Sequence, residues 1–481
     1  MSDIKHRTKI GILWNSFEKF LVQFIAFILN IILARLLTPY DFGIIGLLAV
    51  FLTLSGVFVE SGFTKALIQN LNRNETDFST VFFSNLFISI LLYILLFFLA
   101  PYISEFYCID ELTIYSRVLF FVLILNSLSI VQSSILQIKV EFKKIAIINT
   151  VSTLVSGILA IVFAYKGFGA WAIIIKSISG SCICCIMYWG IGRWYPKMCF
   201  SIKSFKKLFG YGSKVLLGRI ISETYTLLND LIIGRYYKPE GLGIYTKSKQ
   251  FPEISAGTLN AVLTGSTFPL LASMQNNKLE LIATLRKMIS ITSLVLFPFL
   301  FGMSVLAEPV VLLFLGEKWV GAIPILRIMS FSYLFLPITC LNANILQVTN
   351  NLGKFLVILA INFIIKILTI IITVRFSMYA VVIGLVVNSL IYYILHAILL
   401  GVLFDFGVLK QMRCYIIYLL VSFLMAIFVS VIITFISSFV LKVLAAFIIG
   451  TSFYGLILFF MRDEYLQLLF SRIGIRFNKA R

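Results

Sequence analysis

The chain has 481 residues, of which 60% are hydrophobic and only 12% charged, with a net charge of +20. A soluble protein of this length could not hide that much apolar surface, and runs of about 20 apolar residues recur along nearly the whole sequence, the pattern of a polytopic helical membrane protein. The positive charge does not point to nucleic acid, because Lys and Arg are spread over the loops between apolar runs instead of forming one patch.

In chain order, fourteen spans are expected. They lie at 11–33, 42–66, 79–100, 112–136, 145–165, 168–190, 212–234, 243–272, 288–307, 322–346, 355–374, 378–402, 414–436 and 439–461. In hydrocarbon only a helix satisfies its own backbone within one segment, so the fold class is all-α. Lys5, Arg7 and Lys9 precede the first span, which is long and lacks a small-residue cleavage site, so it is expected to be retained. The connection 191–211 carries Arg193, Lys197, Lys203, Lys206 and Lys207 and is expected to form an amphipathic helix on the membrane surface. With the N-terminus inside, and basic residues near span ends counted with the adjoining loop, the termini and even-numbered loops hold 25 Lys and Arg against nine on the other side, and the other six of the 40 are counted as within spans. That bias places both termini in the cytoplasm. The loop 235–249, with four basic residues, runs against it.

One stretch is echoed. Arg35, Pro39, Gly43 and Ile44 return as Arg235, Pro239, Gly243 and Ile244, at a constant offset of 200. Each copy reads as a turn between two membrane helices, since proline cannot continue a helix and glycine permits close re-entry. The helices before the turns carry matching stripes at helical spacing: Asn15, Lys19, Gln23, Ala26 and Asn30, then Val215, Arg219, Glu223, Thr226 and Asp230. An offset containing six spans gives two like-oriented lobes, 1–200 and 201–402, with 403–481 forming two further helices and a tail. The stripes are expected to face one polar cavity.

Six basic residues lie within spans: Lys19, Arg117, Lys176, Arg219, Arg327 and Lys366. Each costs at least about 2.5–3.5 kcal/mol if it faces lipid at mid-bilayer. Lys19, Arg219, Arg327 and Lys366, with Asn15, Gln23 and Asn30, are the expected substrate-binding residues. Arg117, Arg327 and Lys176 also stand near enough to span ends to snorkel, and Arg219 can neutralise Glu223 one turn away. The surplus of cations suits an anion. His396 reads as a packed, neutral residue.

Catalytic signals are weak. There is no Asp-x-Asp pair, no Gly-x-x-x-x-Gly-Lys-Ser/Thr phosphate loop and only two histidines, His6 and His396. A membrane polymerase or ligase would want a large outward loop, and none here exceeds about 15 residues, short of typical lid loops. Cys182-Ile183-Cys184-Cys185 lacks zinc-ligand spacing, so the seven cysteines are expected to be inert thiols and no metal or cofactor is expected.

At this point the chain resembles a known family. Leu33 to Gly43, Val59 to Gln69, Pro298, Glu308 to Trp319, Ala322 and Ile325 to Ile328 are similar to stretches of bacterial polysaccharide-export flippases. These belong to the superfamily of multidrug/toxin extruders, oligosaccharidyl-lipid flippases and polysaccharide transporters. The resemblance implies two six-helix lobes plus two C-terminal helices in the inner membrane. It further implies alternating-access transport of an undecaprenyl-pyrophosphate-linked oligosaccharide, in company with glycosyltransferases and a polysaccharide polymerase. Family members are thought to draw on ion gradients or the membrane potential, so Na⁺ or H⁺ is the expected coupling ion, and Glu223, Asp230 and Glu60 are the carboxylates expected to couple it. The alternative is an ion-coupled multidrug extruder on the same fold, which would want a net acidic cavity.

Overall fold

A computed structural model describes residues 21–60, 62–70 and 72–467. Among the described residues there are helices and connectors and no strand. The first 243 residues and the remainder form two compact units.

The first unit holds α1 (Leu21–Leu36), α2 (Pro39–Glu60), α3 (Phe63–Gln69), α4 (Glu75–Tyr107), α5 (Leu112–Leu119), α6 (Val122–Ile138), α7 (Phe142–Tyr165) and α8 (Ala170–Gly192). Helix α9 (Ile202–Ser273) is two arms joined at a kink, where Lys238 takes φ 59° and ψ 174° just before Pro239. The kink has a simple cause. Proline clashes with a helical residue before it, which accounts for the break in the helix but not for the positive φ of Lys238. The start of α4 is equally readable: Asn74 accepts from the Asp77 amide at 2.8 Å while Asp77 accepts from the Asn74 amide at 3.1 Å, a reciprocal capping box.

Packing in this unit relies on small residues. Ser152 on α7 donates to the Gly180 carbonyl on α8 at 2.6 Å, and Ala160, Ala164 and Ala172 let α7 and α8 close on Leu33 of α1 and on Leu37 just after it. Lipid gives helices no hydrophobic reason to associate, so close backbone approach and buried hydrogen bonds supply it. The connector after α8 differs from the sequence expectation. Residues 193–201 form no regular secondary structure, and helix begins only at Ile202. Trp194 Nε1 donates to Glu75 at 2.9 Å, the Lys197 amide to Ser79 at 3.0 Å and the Ser201 amide to Thr80 at 3.1 Å. The polar first turns of α4 thus capture the backbone as a strap, which a count of charged and apolar residues does not register.

The second unit contains α10 (Lys278–Val305), α11 (Ala307–Val310), α12 (Ala322–Ser332), α13 (Leu336–Val348), α14 (Leu352–Thr373), α15 (Met378–Phe404), α16 (Val408–Thr434) and α17 (Phe439–Phe460). Its hub is α10, which packs on α12, α13, α16 and α17. Phe297, Phe335, Tyr393 and Tyr415 interlock there, with Phe335 stacked on Tyr393 at 4.9 Å and Phe297 edge-on to Tyr415 at 5.9 Å. Such pairs add about 0.5–1.5 kcal/mol beyond the area they bury.

Every expected span overlaps a helix, and eleven helical spans among the described residues are long and apolar enough to cross a membrane. The protein is an all-α, multi-pass membrane protein. The expectation of fourteen spans is consistent with this, because α1 is described only from Leu21 and the first arm of α9 carries Arg219, Glu223 and Asp230 inside its apolar stretch. A spanning helix that polar does not face lipid along its whole length.

Candidate functional site

The two echoed turns meet each other inside the first unit. Thr38 caps α2: its amide and hydroxyl both donate to Asp41, at 2.8 and 2.6 Å. One turn into α2, a methyl added to Gly43 would stand 2.7 Å from Pro239 Cα and closer still to that residue's carbonyl. Reciprocally, a methyl on Gly243 would stand 2.8 Å from the Pro39 carbonyl carbon and 3.1 Å from the Gly43 amide. Pro39-x-x-x-Gly43 and Pro239-x-x-x-Gly243 therefore pack backbone to backbone, each glycine under the other copy's proline. The echo seen in sequence is a reciprocal contact in space.

At the other end of α2, 17 residues and roughly 25 Å along the helix from Gly43, lies an ion pair. Arg219, on the first arm of α9, pairs with Glu60 at the end of α2. Each side chain keeps about a third of its surface, 35% and 33%. The sequence offered Glu223, one turn away, as the neutralising partner; the structure gives that role to Glu60, 159 residues distant. Glu223 is half-buried, and Asp230 is buried further along the same arm. An arginine and a carboxylate with separate expected roles, anion binding and ion coupling, thus occupy each other.

A second cation joins the first polar stripe. Lys176 reads as a snorkelling residue, but it stands on α8 with Nζ 3.4 Å from Asn30 Oδ1 on α1. Asn30 belongs to the first polar stripe, so a cation joins that stripe from another helix. The one available signal was position: Lys176 sits two turns inside α8. Of the other stripe residues, Gln23 is exposed, and Asn15 and Lys19 lie outside the described residues. Arg117 does behave as a peripheral arginine, donating to the Phe97 carbonyl at 3.4 Å with its guanidinium 4.3 Å from that ring's centroid.

In the second unit the expected cations separate. Lys366 is buried on α14, one turn from Asn362, which accepts from Asn388 of α15 at 3.2 Å. Arg327 is exposed and lines a different recess, of about 380 Å³, with Glu308 and Lys442. His396 is fully buried, edge-on to Tyr392 at 4.6 Å, with Nδ1 3.0 Å from the Tyr392 carbonyl. No group of three or more His, Cys, Asp or Glu among the described residues could hold a metal ion.

Residues 32–324 match the polysaccharide biosynthesis protein family. The chain belongs to that family. A teichuronic acid biosynthesis protein, TuaB of Bacillus subtilis (strain 168), is 25% identical over 333 residues, 69% of each chain. Among solved structures, a lipid II flippase, MurJ, in an inward closed conformation superposes with a TM-score of 0.75 at 16% identity, covering 96% of this chain and 100% of that one. A multidrug resistance transporter of the MATE family, inward-facing, gives 0.59 at 16% identity, with 81% and 94% covered. The chain shares its fold with both.

The family match spans both echoed turns, the Arg219–Glu60 pair and the Glu308–Trp319 stretch. The last of these is architectural. After α11 the chain makes one π-helical turn, with the Gly316 amide donating to the Val311 carbonyl at 3.0 Å. Gly316 then takes φ 93°, ψ 179°, a conformation essentially reserved for glycine. Trp319 follows, fully buried, at the base of α12.

Proposed function

We propose that the protein is a transporter that moves an undecaprenyl-pyrophosphate-linked oligosaccharide from the cytoplasmic to the outer leaflet of the bacterial inner membrane by alternating access. The observation that carries this reading is the Arg219–Glu60 pair within a polysaccharide-biosynthesis chain of flippase-like fold. A pyrophosphate competes well for such an arginine, because guanidinium binds planar oxyanions in bidentate fashion and a low dielectric strengthens the attraction. Lys19, Lys176 and Arg219 would hold the anionic headgroup, Asn15, Gln23 and Asn30 would meet the sugars, and the lipid tail would stay in the bilayer.

Glu60 supplies a route to coupling. When a proton or Na⁺ neutralises it, Arg219 is released for substrate; when substrate leaves, Glu60 takes the arginine back. Glu223 and Asp230 on the same arm are the further carboxylates for that ion. No cofactor is required, both termini lie in the cytoplasm, and glycosyltransferases and a polymerase act before and after.

Replacing Lys19 and Arg219 with Ala should abolish surface polysaccharide while the protein remains in the membrane. Normal polysaccharide in that double variant sinks the proposal. The fold shared with a multidrug transporter favours a second reading, an ion-coupled drug extruder. Raised resistance to cationic drugs on overexpression, with no effect of gene loss on polysaccharide, would establish that reading instead.

A further inference from the structure

At one end of the second unit, apart from the residues considered above, lies a cavity of about 540 Å³. Its basic lining comes from three separate chain segments: Arg286 on α10, Lys410 and Arg413 in the first turns of α16, and Arg462 just past α17. The lining also holds Asp463 and Glu464, but among the described residues the one ion pair to these four basic side chains is that of Asp405 with Lys410. Asp463 spends one carboxylate oxygen on the Tyr418 hydroxyl, at 2.7 Å, and the other on the Leu466 amide, at 2.8 Å. Asp405 holds Lys410 at 2.6 Å. The side chains of Arg413 and Arg462 have no hydrogen-bond or ion-pair partner among the described residues, and Arg286 does no more than lie 5.9 Å from the Phe406 ring centroid.

Basic residues at helix ends are usually topology signals, and those need only face water. Three guanidiniums from distant segments converging on one recess are not needed for that. The recess is also built stiffly. Ser290 of α10 donates to the Cys414 carbonyl of α16 at 3.0 Å, and the Tyr418–Asp463 bond ties α16 to the chain after α17. Its volume is that of a small-molecule site. Ile417 and Tyr465 give it an apolar wall.

We infer that this cavity binds a phosphate ester, the headgroup of an anionic glycerophospholipid, between the ends of α10, α16 and α17. Guanidiniums supply bidentate donors to phosphate oxygens, and basic pockets between membrane helices are a recurrent form of anionic-lipid site. The inference does not depend on the transported substrate. A lipid seated here would clamp the last two helices to α10.

The test uses the full-length protein in mixed micelles, with native mass spectrometry counting retained phosphatidylglycerol against phosphatidylcholine. Phosphatidylglycerol should be retained preferentially. Arg413→Gln with Arg462→Gln should weaken it about 100-fold, at about tenfold per charged hydrogen-bonding group. Lys287→Gln, next to Arg286 but outside the cavity lining, should change nothing. Equal retention of phosphatidylcholine, an unaffected double variant, or an equal loss with Lys287→Gln overturns the site. Displacement of the lipid by millimolar inorganic pyrophosphate overturns the lipid assignment in favour of a soluble phosphate. Should the double variant fail to fold, Arg286→Gln alone carries the same expectation, at about tenfold.

Discussion

Replacing Gly43 with Ala puts a methyl group where the backbone of the other echoed turn already is. Its carbon would lie 2.7 Å from Pro239 Cα, whereas carbon atoms in good contact sit about 3.5–4.0 Å apart. The Pro239 carbonyl is closer still, so the two turns must separate by at least about 1 Å, and no rotamer can relieve the clash because the obstructing atoms are main chain. Overpacking of this kind costs about 1–3 kcal/mol. Gly243→Ala meets Pro39 in the same way, with its methyl 2.8 Å from the Pro39 carbonyl carbon, and should cost a similar amount. Once either methyl has forced the turns apart, the second finds the space already open, so the double variant should cost clearly less than the two singles together. Gly56 is the internal control. It lies on α2 with nothing within 4 Å of an added methyl, so Gly56→Ala should be neutral or stabilising, since alanine is the better helix former. The assay is the midpoint of thermal aggregation in detergent, read by fluorescence-detected size exclusion for all four variants. If Gly43→Ala melts with wild type and Gly56→Ala, or if the double variant is strictly additive, the reciprocal packing of the echoes is wrong.

Three other predictions are more local. Exchanging the ends of the ion pair, Glu60→Arg with Arg219→Glu, should recover at least half of the thermal stability that either single substitution loses; no recovery would mean that the pair is incidental. Gly316→Ala should lower the melting midpoint, because it forces a Cβ into a backbone region costing about 1–3 kcal/mol; an unchanged midpoint refutes the assignment of that glycine. Asp405 lies between α15 and α16, where the Lys410 ammonium holds its carboxyl below the usual carboxylate range. A carboxylate depressed in the folded state contributes stability above its unfolded pKa, about 3.9, and loses it as pH falls through the folded value. Asp405→Asn, which tolerates the positive φ of 58° there, should therefore melt below wild type at neutral pH, and the gap should close on acidification. A gap independent of pH would show that the charge is irrelevant.

Local signals in the sequence were strong where one segment decides its own structure. Lys238-Pro239 breaks α9 where proline dictates, and the Asn74–Asp77 box starts α4. The apolar runs place the helices. The echo at offset 200 located the turns, though not their mutual contact, because periodicity says which residues share a face and nothing about what that face meets. For the same reason Arg219 was matched with Glu223, a neighbour along the helix, when its partner is Glu60 on another helix. Depth along one helix says nothing of the Asn30 side chain that Lys176 meets on α1. Snorkelling requires a water-facing path, and Asn30 offers a nearer polar partner. The strap at 193–201 was lost because its hydrogen bonds use backbone amides, which every residue has and no composition reveals.

These misreadings share a cause that bears on mechanism. A charge inside a membrane is tolerated only with a partner, and whether that partner is permanent or exchangeable decides between scaffold and function. Arg117 leans on a carbonyl and a ring, neither of which can take up or release an ion, so it is scaffold. Arg219 leans on Glu60, a group that a proton or a metal cation can neutralise, at a position where each side chain still has about a third of its surface open. The free energy of breaking that pair is moderate for the same reason, since partly solvated pairs are worth far less than buried ones. A pair too strong could not open for an incoming pyrophosphate, and one fully exposed would not discriminate between ion-bound and ion-free states. Of the intramembrane cations with a described partner, Arg219 is the one whose surroundings permit exchange, and the proposed transport cycle needs that property.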